Sequence, residues 1–212
     1  DRNVQPVRPV FLSVDARDGS FVKLHGFEDF NVGSPSALKG KGYSADGKKM
    51  IFAATRHLVE MDIGNKSQRV IHEFTDREVV AMSVSPDGKT AAVTVRPGNS
   101  SNSGRSNIEL ISIRDGSVSK LDETDVEMGY SRMVGVSWSP DGKNLVFAEN
   151  RPNSGQQLYT LDVTSGKRTA IGEPVFGDDQ FSGVRVHPDG DKLTFWRGMG
   201  KLQLWVLEGI EL

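Results

Sequence analysis

Apolar and polar side chains alternate with a period of two along most of this chain, and the alternation breaks at recurring turn signals. Val80, Met82 and Val84 share one parity and Ala81, Ser83 and Ser85 the other. Val134, Val136 and Trp138 stand against Gly135, Ser137 and Ser139 in the same way. After each break the alternation resumes, at Met50 and Phe52, Ala91 and Val93, Leu145 and Phe147, and Leu193 and Phe195. Period two on both sides of a turn predicts a β-hairpin. The turns are four related strings: Tyr43-Ser44-Ala45-Asp46-Gly47-Lys48, Val84-Ser85-Pro86-Asp87-Gly88-Lys89, Trp138-Ser139-Pro140-Asp141-Gly142-Lys143 and Val186-His187-Pro188-Asp189-Gly190-Asp191. Proline presets φ for the turn, the aspartate bonds the nearby backbone, and glycine supplies positive φ.

The turn aspartates are spaced by 41, 54 and 48 residues, the period of propeller blades when each unit reads as strands. A third strand recurs as two apolar residues three apart, usually followed by an acid: Phe11 and Val14, Leu58 and Met61, Leu110 and Ile113, Leu158 and Leu161, Leu204 and Leu207. A fourth short strand follows in most units, as at 118–121 and 168–171. Each unit is thus a four-stranded antiparallel meander, with strands a to d. A single such sheet cannot bury two apolar faces, so the units must stack radially. The expected fold is all-β: a β-propeller of about four to five blades, read as one domain or propeller segment over residues 1–212. Tyr43, Val84, Trp138, Val186, Phe52, Val93, Phe147 and Phe195 are expected between the sheets. Gly40, Ala81, Gly135 and Gly183 sit six residues before each aspartate, where innermost strands converge and small side chains are needed.

The Ser-Pro-Asp-Gly-Lys hairpin with its apolar, any, Phe continuation resembles the WD40-like PD40 repeat of TolB-type β-propellers, a repeat also present in tricorn-type and prolyl-oligopeptidase-type propeller domains. The resemblance covers about residues 38–212, and residues 10–24 read as the last two strands of a preceding blade. It implies a scaffold, often periplasmic or extracellular in bacteria, whose faces hold protein or small-molecule partners. Such propellers commonly carry about six or more blades. With four a/b hairpins and five c strands, this chain reads either as a small ring completed by its leading segment or as part of a larger or incomplete one. It shows neither a TolB-like N-terminal α/β domain nor a hydrolase domain. Because it opens on Asp1, it is expected to be a processed or excised segment.

Composition narrows the chemistry. Of 212 residues, 26 are Lys or Arg and 28 Asp or Glu, a formal charge of −2 that gives nucleic-acid binding no electrostatic support. No apolar run is long enough for a membrane span, and no signal peptide is visible. Without cysteine, disulfides and thiolate metal sites are excluded, and the compartment stays open. His25, His57, His72 and His187 occur singly, with no metal-ligand spacing, so neither a metal nor another cofactor is expected. No nucleophile elbow and no phosphate-cradling glycine loop are present. Catalysis is therefore not expected. The polar stretch from Pro97 to Asn107 reads as a surface loop lengthening one b-to-c connection.

One charged pattern repeats. Each unit places an arginine where strand b ends, at Arg56, Arg96, Arg151 and Arg197. The d-to-a connections, which open on the same face, carry Glu28 and Asp29, Asp76 and Glu78, Glu123, Asp125 and Glu127, and Asp178 and Asp179. Two readings follow: pairing of arginine with carboxylate across blades, or a recognition face for a protein partner with an acidic surface. Arg185 also stands out, because Gly42, Ser83 and Ser137 occupy its place in the other units. The reading carried forward is a non-catalytic scaffold or sensor propeller binding a protein through Arg56, Arg96, Arg151, Arg197 and Arg185. The alternative is the substrate-gating propeller of a larger serine hydrolase or peptidase. A periplasmic or extracellular setting is favoured over a cytoplasmic one by the resemblance.

Overall fold

The first three Asp-Gly strings close their hairpins by the same set of bonds. In the computed structural model, which describes residues 11–14, 17–24, 38–98, 106–121, 135–151, 155–175, 181–198 and 202–209, the amides of Gly47, Gly88 and Gly142 donate to the carbonyls of Ser44, Ser85 and Ser139 at 2.9–3.0 Å. The serine does as much as the aspartate. Its Oγ accepts the amide five residues on, from Lys49, Thr90 and Asn144, and donates to the turn carboxylate at 2.6–2.7 Å.

Five antiparallel sheets result. Blade 1 has β1 (Phe11–Val14) and β2 (Phe21–Leu24). Blade 2 runs through β3 (Gly40–Tyr43), β4 (Lys49–Ala53), β5 (His57–Asp62) and β6 (Gln68–Glu73). Blade 3 comprises β7 (Arg77–Val84), β8 (Thr90–Pro97), β9 (Asn107–Ser112) and β10 (Val118–Lys120). Blade 4 comprises β11 (Val136–Trp138), β12 (Asn144–Arg151), β13 (Gly155–Asp162) and β14 (Arg168–Val175). Blade 5 has three strands, β15 (Phe181–Val186), β16 (Lys192–Gly198) and β17 (Leu202–Glu208). No helix occurs among the described residues. Blades 2 to 5 stand side by side in chain order, with β3 against β7, β7 against β11 and β11 against β15. This is an arc of a β-propeller.

The seams bury the apolar parity of both facing sheets. Ile51, Ala53, Phe74, Met82, Val93 and Ile111 fill the seam between blades 2 and 3. Trp138, Leu145, Phe147, Leu161, Val184, Leu193 and Phe195 belong to a continuous core through blades 3, 4 and 5. The innermost strands approach so closely that a methyl group on Gly40 would lie 2.5 Å from the carbonyl oxygen of Met82, and one on Gly135 would lie 2.6 Å from the amide nitrogen of Val184. The Met82 amide donates to Lys39 O at 3.1 Å, and the Trp138 indole donates to Ser83 O at 3.1 Å. The hairpin tips also overlap: a methyl on Gly88 would meet Ala45 N at 2.4 Å, whereas Gly142 and Gly190 face Pro86 and Pro140 of the preceding hairpins. Ala45 leaves room where a proline ring stands in the later tips.

Two expectations need correction. Phe52, Val93, Trp138, Phe147 and Phe195 are buried and Val84 and Val186 partly so, but Tyr43 is 49% exposed. Val84, Trp138 and Val186 each rest on the preceding blade's inner strand, at Gly42, Ser83 and Ser137. Tyr43 faces the side of blade 1, where the described residues supply no inner strand. In blade 3 the repeating third-strand pair is Ile108 and Ile111, both buried, and not Leu110 and Ile113. Ser112 occupies the turn position of Asp62 and Asp162, its carbonyl taking the Gly116 amide as theirs take Lys66 and Gly166.

Replacing Phe147 by Ala is expected to cost about 3–5 kcal/mol in urea unfolding, as for a large aromatic with no room to collapse around the cavity. Gly135→Ala should cost about 1–3 kcal/mol, because the obstruction is backbone that cannot rotate away. A Gly135→Ala protein as stable as wild type would mean that the inner strands are farther apart than described.

Candidate functional site

The b-to-c and d-to-a connections meet on one face, as the strand order predicts. The Phe74 amide donates to Arg56 O at 2.8 Å, Val79 to Thr55 O at 2.8 Å and Gly98 to Asp76 O at 2.9 Å. The first two bonds tie the loop after strand b of blade 2 to the connection entering blade 3, and the third ties that connection to the end of strand b of blade 3. On that scaffold Arg56 is exposed, and its Nη1 has only a long 3.5 Å contact to Thr75 O. Arg96 pairs with Glu78, Nη2 to Oε2 at 3.2 Å. The pair lies within one blade and not across two, because Glu78 and Arg96 are register partners on β7 and β8. Arg151 and Arg197 lie near the ends of β12 and β16, paired in register with Gly155 and Phe181, one residue farther along the strand and one residue short of the place of Arg96. Their side chains lie outside the described structure. Of the acidic connections, Asp76 and Glu78 are described; Glu28, Asp29, Glu123, Asp125, Glu127, Asp178 and Asp179 lie outside the described residues.

Stronger charge pairs lie just below this rim. Arg77, at the start of β7, forms a short ion pair with Glu109 of β9 and stands 5.9 Å from the centre of the Phe74 ring. Glu109 is wholly buried, and its Oε2 has no partner among the described residues. Arg168 pairs with Glu149 in the same way, over the rings of Tyr159 and Phe147 at 4.3 and 5.5 Å. On the opposite, hairpin side, Arg69 ties blade 2 to blade 3 by donating to Ile113 O at 2.8 Å and Arg114 O at 3.2 Å while pairing with Glu60. Reading the ends of strand b alone overlooked these residues. The available signal was a carboxylate on the apolar parity of a strand, Glu109 in line with Ile111 and Glu149 in line with Phe147.

Arg185 sits elsewhere, exposed and next to last in the innermost strand of blade 5, close to its hairpin. Its Nη1 donates to Val136 O at 3.3 Å and Val184 O at 3.0 Å. Partial desolvation by the two inner strands lowers its pKa from the ordinary arginine value. Glu78 precedes Ser83, the counterpart of Arg185, by five residues along β7, so roughly 17 Å of extended strand separates the rim from the level of Arg185.

The opposite face carries the hairpin tips. The Ser139 hydroxyl, and after it the Lys143 amide, hold the Asp141 carboxyl below its usual range, and Asp46 and Asp87 are held down by the same two kinds of bond. The last hairpin differs. His187 replaces the serine, with Nδ1 2.7 Å from Asp189 Oδ1, and a hydrogen bond between Asp189 and Asp191 lowers the first to about 2 while raising the second. His57 lies 3.9 Å from Glu73, and His72 Nδ1 is 3.2 Å from Gly116 O; His25 lies outside the described residues. Among the described residues no group of three or more His, Asp or Glu is placed to hold a metal, and no helix is long and apolar enough to cross a membrane.

Radially stacked four-stranded meanders joined by rim loops define a β-propeller. Similar solved structures include the putative TolB of Agrobacterium tumefaciens, at 19% identity and a TM-score of 0.68, covering 92% of this chain and 64% of that one. A chain of a nidogen/laminin complex matches at 12% identity and 0.69, covering 95% of this chain and 68% of its own. A prolyl endopeptidase matches at 13% and 0.53, covering 82% and 30%. No protein-family model and no curated protein matches the sequence. The likeness shows a TolB-like propeller fold, and the fold alone. This chain spans less than two thirds of that TolB chain and under a third of the endopeptidase.

Arg77→Met is expected to cost about 3–5 kcal/mol, since it strands the buried Glu109 charge, whereas Arg96→Ala should stay within about 1 kcal/mol as for an exposed pair. Equal costs from the two substitutions would contradict the burial difference. For the hairpins the sign follows from depressed carboxyl pKa values. Their stabilisation is complete above the unfolded-state pKa and is lost as pH falls from about 4 through the folded value. Ser139→Ala should return Asp141 toward an ordinary carboxyl titration, read by carboxyl-carbon NMR, and flatten that acid loss.

Proposed function

We propose that this chain is a non-catalytic propeller scaffold or sensor that binds a protein partner on its b-to-c and d-to-a loop face, through Arg56, Arg96, Arg151 and Arg197 with Arg185 deeper in. The observation that carries this reading is the return of an arginine at the end of strand b in four successive units, where neither strand pairing nor core packing requires a cation. Arg56 supports it most directly, exposed and, among the described residues, bonded only to a carbonyl. Arginine favours planar, bidentate recognition of carboxylates, so the matching surface is acidic. The solved nidogen/laminin complex includes a fold of this kind in a protein assembly. A periplasmic or extracellular setting goes with the reading through the TolB likeness. The second reading, a substrate-gating propeller of a larger peptidase, is favoured by the likeness to a prolyl endopeptidase. A contiguous α/β-hydrolase domain in the full-length gene product would select it.

In pull-downs from the source organism, a quadruple Arg→Ala variant at Arg56, Arg96, Arg151 and Arg197 should lose the partner. A Lys48, Lys89 and Lys143→Ala variant on the hairpin face should keep it. Capture should weaken as salt rises to physiological strength, where the Debye length is about 8 Å. Undiminished capture by the quadruple variant, or selective loss in the hairpin variant, would show that the wrong face has been assigned.

A further inference from the structure

The innermost strands carry Gly42, Ser83 and Ser137 at one equivalent position, and only the last departs, with Arg185. In blades 2, 3 and 4 that small residue leaves room for the next blade: Gly42 abuts Val84, and Ser137 Oγ accepts the Val186 amide at 3.1 Å. The ladder shows where the arginine goes. Ser139 with Asn144 and His187 with Lys192 are hydrogen-bonded pairs at the hairpin ends. Counting back by alternation, Val136 and Val184 turn their carbonyls away from strand b, toward the channel. Arg185 Nη1 donates to both of those carbonyls, so the guanidinium lies across the channel edge of blades 4 and 5.

We propose that Arg185 is the seat of a single carboxylate on the channel wall. The proposal rests on the binding reading above and adds the chemical group that the partner brings. Two carbonyl bonds hold Nη1 and fix the plane of the fork, while Nε and Nη2 have no partner among the described residues. Those two nitrogens are donors, spaced to meet the two oxygens of a carboxylate. Four other described arginines already have an acid, Arg69 with Glu60, Arg77 with Glu109, Arg96 with Glu78 and Arg168 with Glu149. Arg185 has none among the described residues, and its side chain is exposed to solvent. The neighbouring inner-strand positions, Gly135, Ser137 and Gly183, are uncharged, so the fork is open to a carboxylate brought to the channel wall. A carboxylate fits better than phosphate, because among the described residues no second cation stands beside Arg185 to meet a doubly charged group.

The test follows the Arg185 Nε–Hε signal of 15N-labelled protein while acetate replaces chloride at constant ionic strength. A saturable one-site shift at Arg185 is expected, with Arg56 and Arg96 following no such isotherm. Arg185→Lys should bind acetate at least about tenfold more weakly, since the charge remains and the fork is lost. A Glu-rich peptide with an amidated terminus and a neutral peptide with a free terminus distinguish side-chain from terminal carboxylates as the source. A linear, unsaturable response, or an equal response to inorganic phosphate, would overturn the proposal. Because acetate is read without any partner, failure here leaves the pull-down on the rim variants standing. Loss of capture from the wrong face leaves the Arg185 titration standing.

Discussion

The close approach of neighbouring innermost strands is the constraint on which the arc depends. Each blade is a twisted sheet with apolar side chains on both faces, and neither face can be covered except by another blade. The strands nearest the axis have the least room, so side chains there must shrink or disappear. Gly40 against Met82 and Gly135 against Val184 mark where backbone meets backbone. Farther from the axis the sheets diverge and the side chains grow, through Ala53, Val93 and Phe147 to Phe74 and Tyr159. Wedge-shaped seams of this kind convert a period of about fifty residues into curvature.

Polar groups complete what apolar packing begins. Buried charges are costly alone, and Glu109 and Glu149 are tolerated because an arginine lies against each and an aromatic face covers the cation from the other side. Arg69 fastens blade 2 to the next blade's c-to-d turn on the hairpin side, and the main-chain bonds around Arg56 fasten the loops of the rim. The rim is therefore anchored to the core, and its exposed cations are held over a fixed base.

Much of this architecture could be read from the chain because the code was local and repeated. Alternation, Asp-Gly turns and a regular period specify hairpins, and Gly at the position six residues before the turn aspartate specifies convergence. The misreadings came where the answer depended on a neighbour. Tyr43 has the apolar character of Val84 and Trp138, but its exposure is decided by the strand beside it and not by its own parity. Leu110 and Ile113 have the right spacing, and only the pairing of β8 with β9 shows that Ile108 and Ile111 hold the seam. At the rim, the recurrence of arginine was visible while its partners were not: Glu78 faces Arg96 because of register, and Arg77 reaches Glu109 across 32 residues of sequence. The turn chemistry of proline, aspartate and glycine leaves the preceding serine without a role, yet its hydroxyl is both donor and acceptor at the centre of the first three hairpins.

The seams run from each blade to the next in chain order, 2 with 3, 3 with 4 and 4 with 5. Along these described seams, stability is approximately a sum over unit and junction free energies. Blades 3 and 4 each take part in two of the seams, so exposing their amides to solvent requires two described junctions to open.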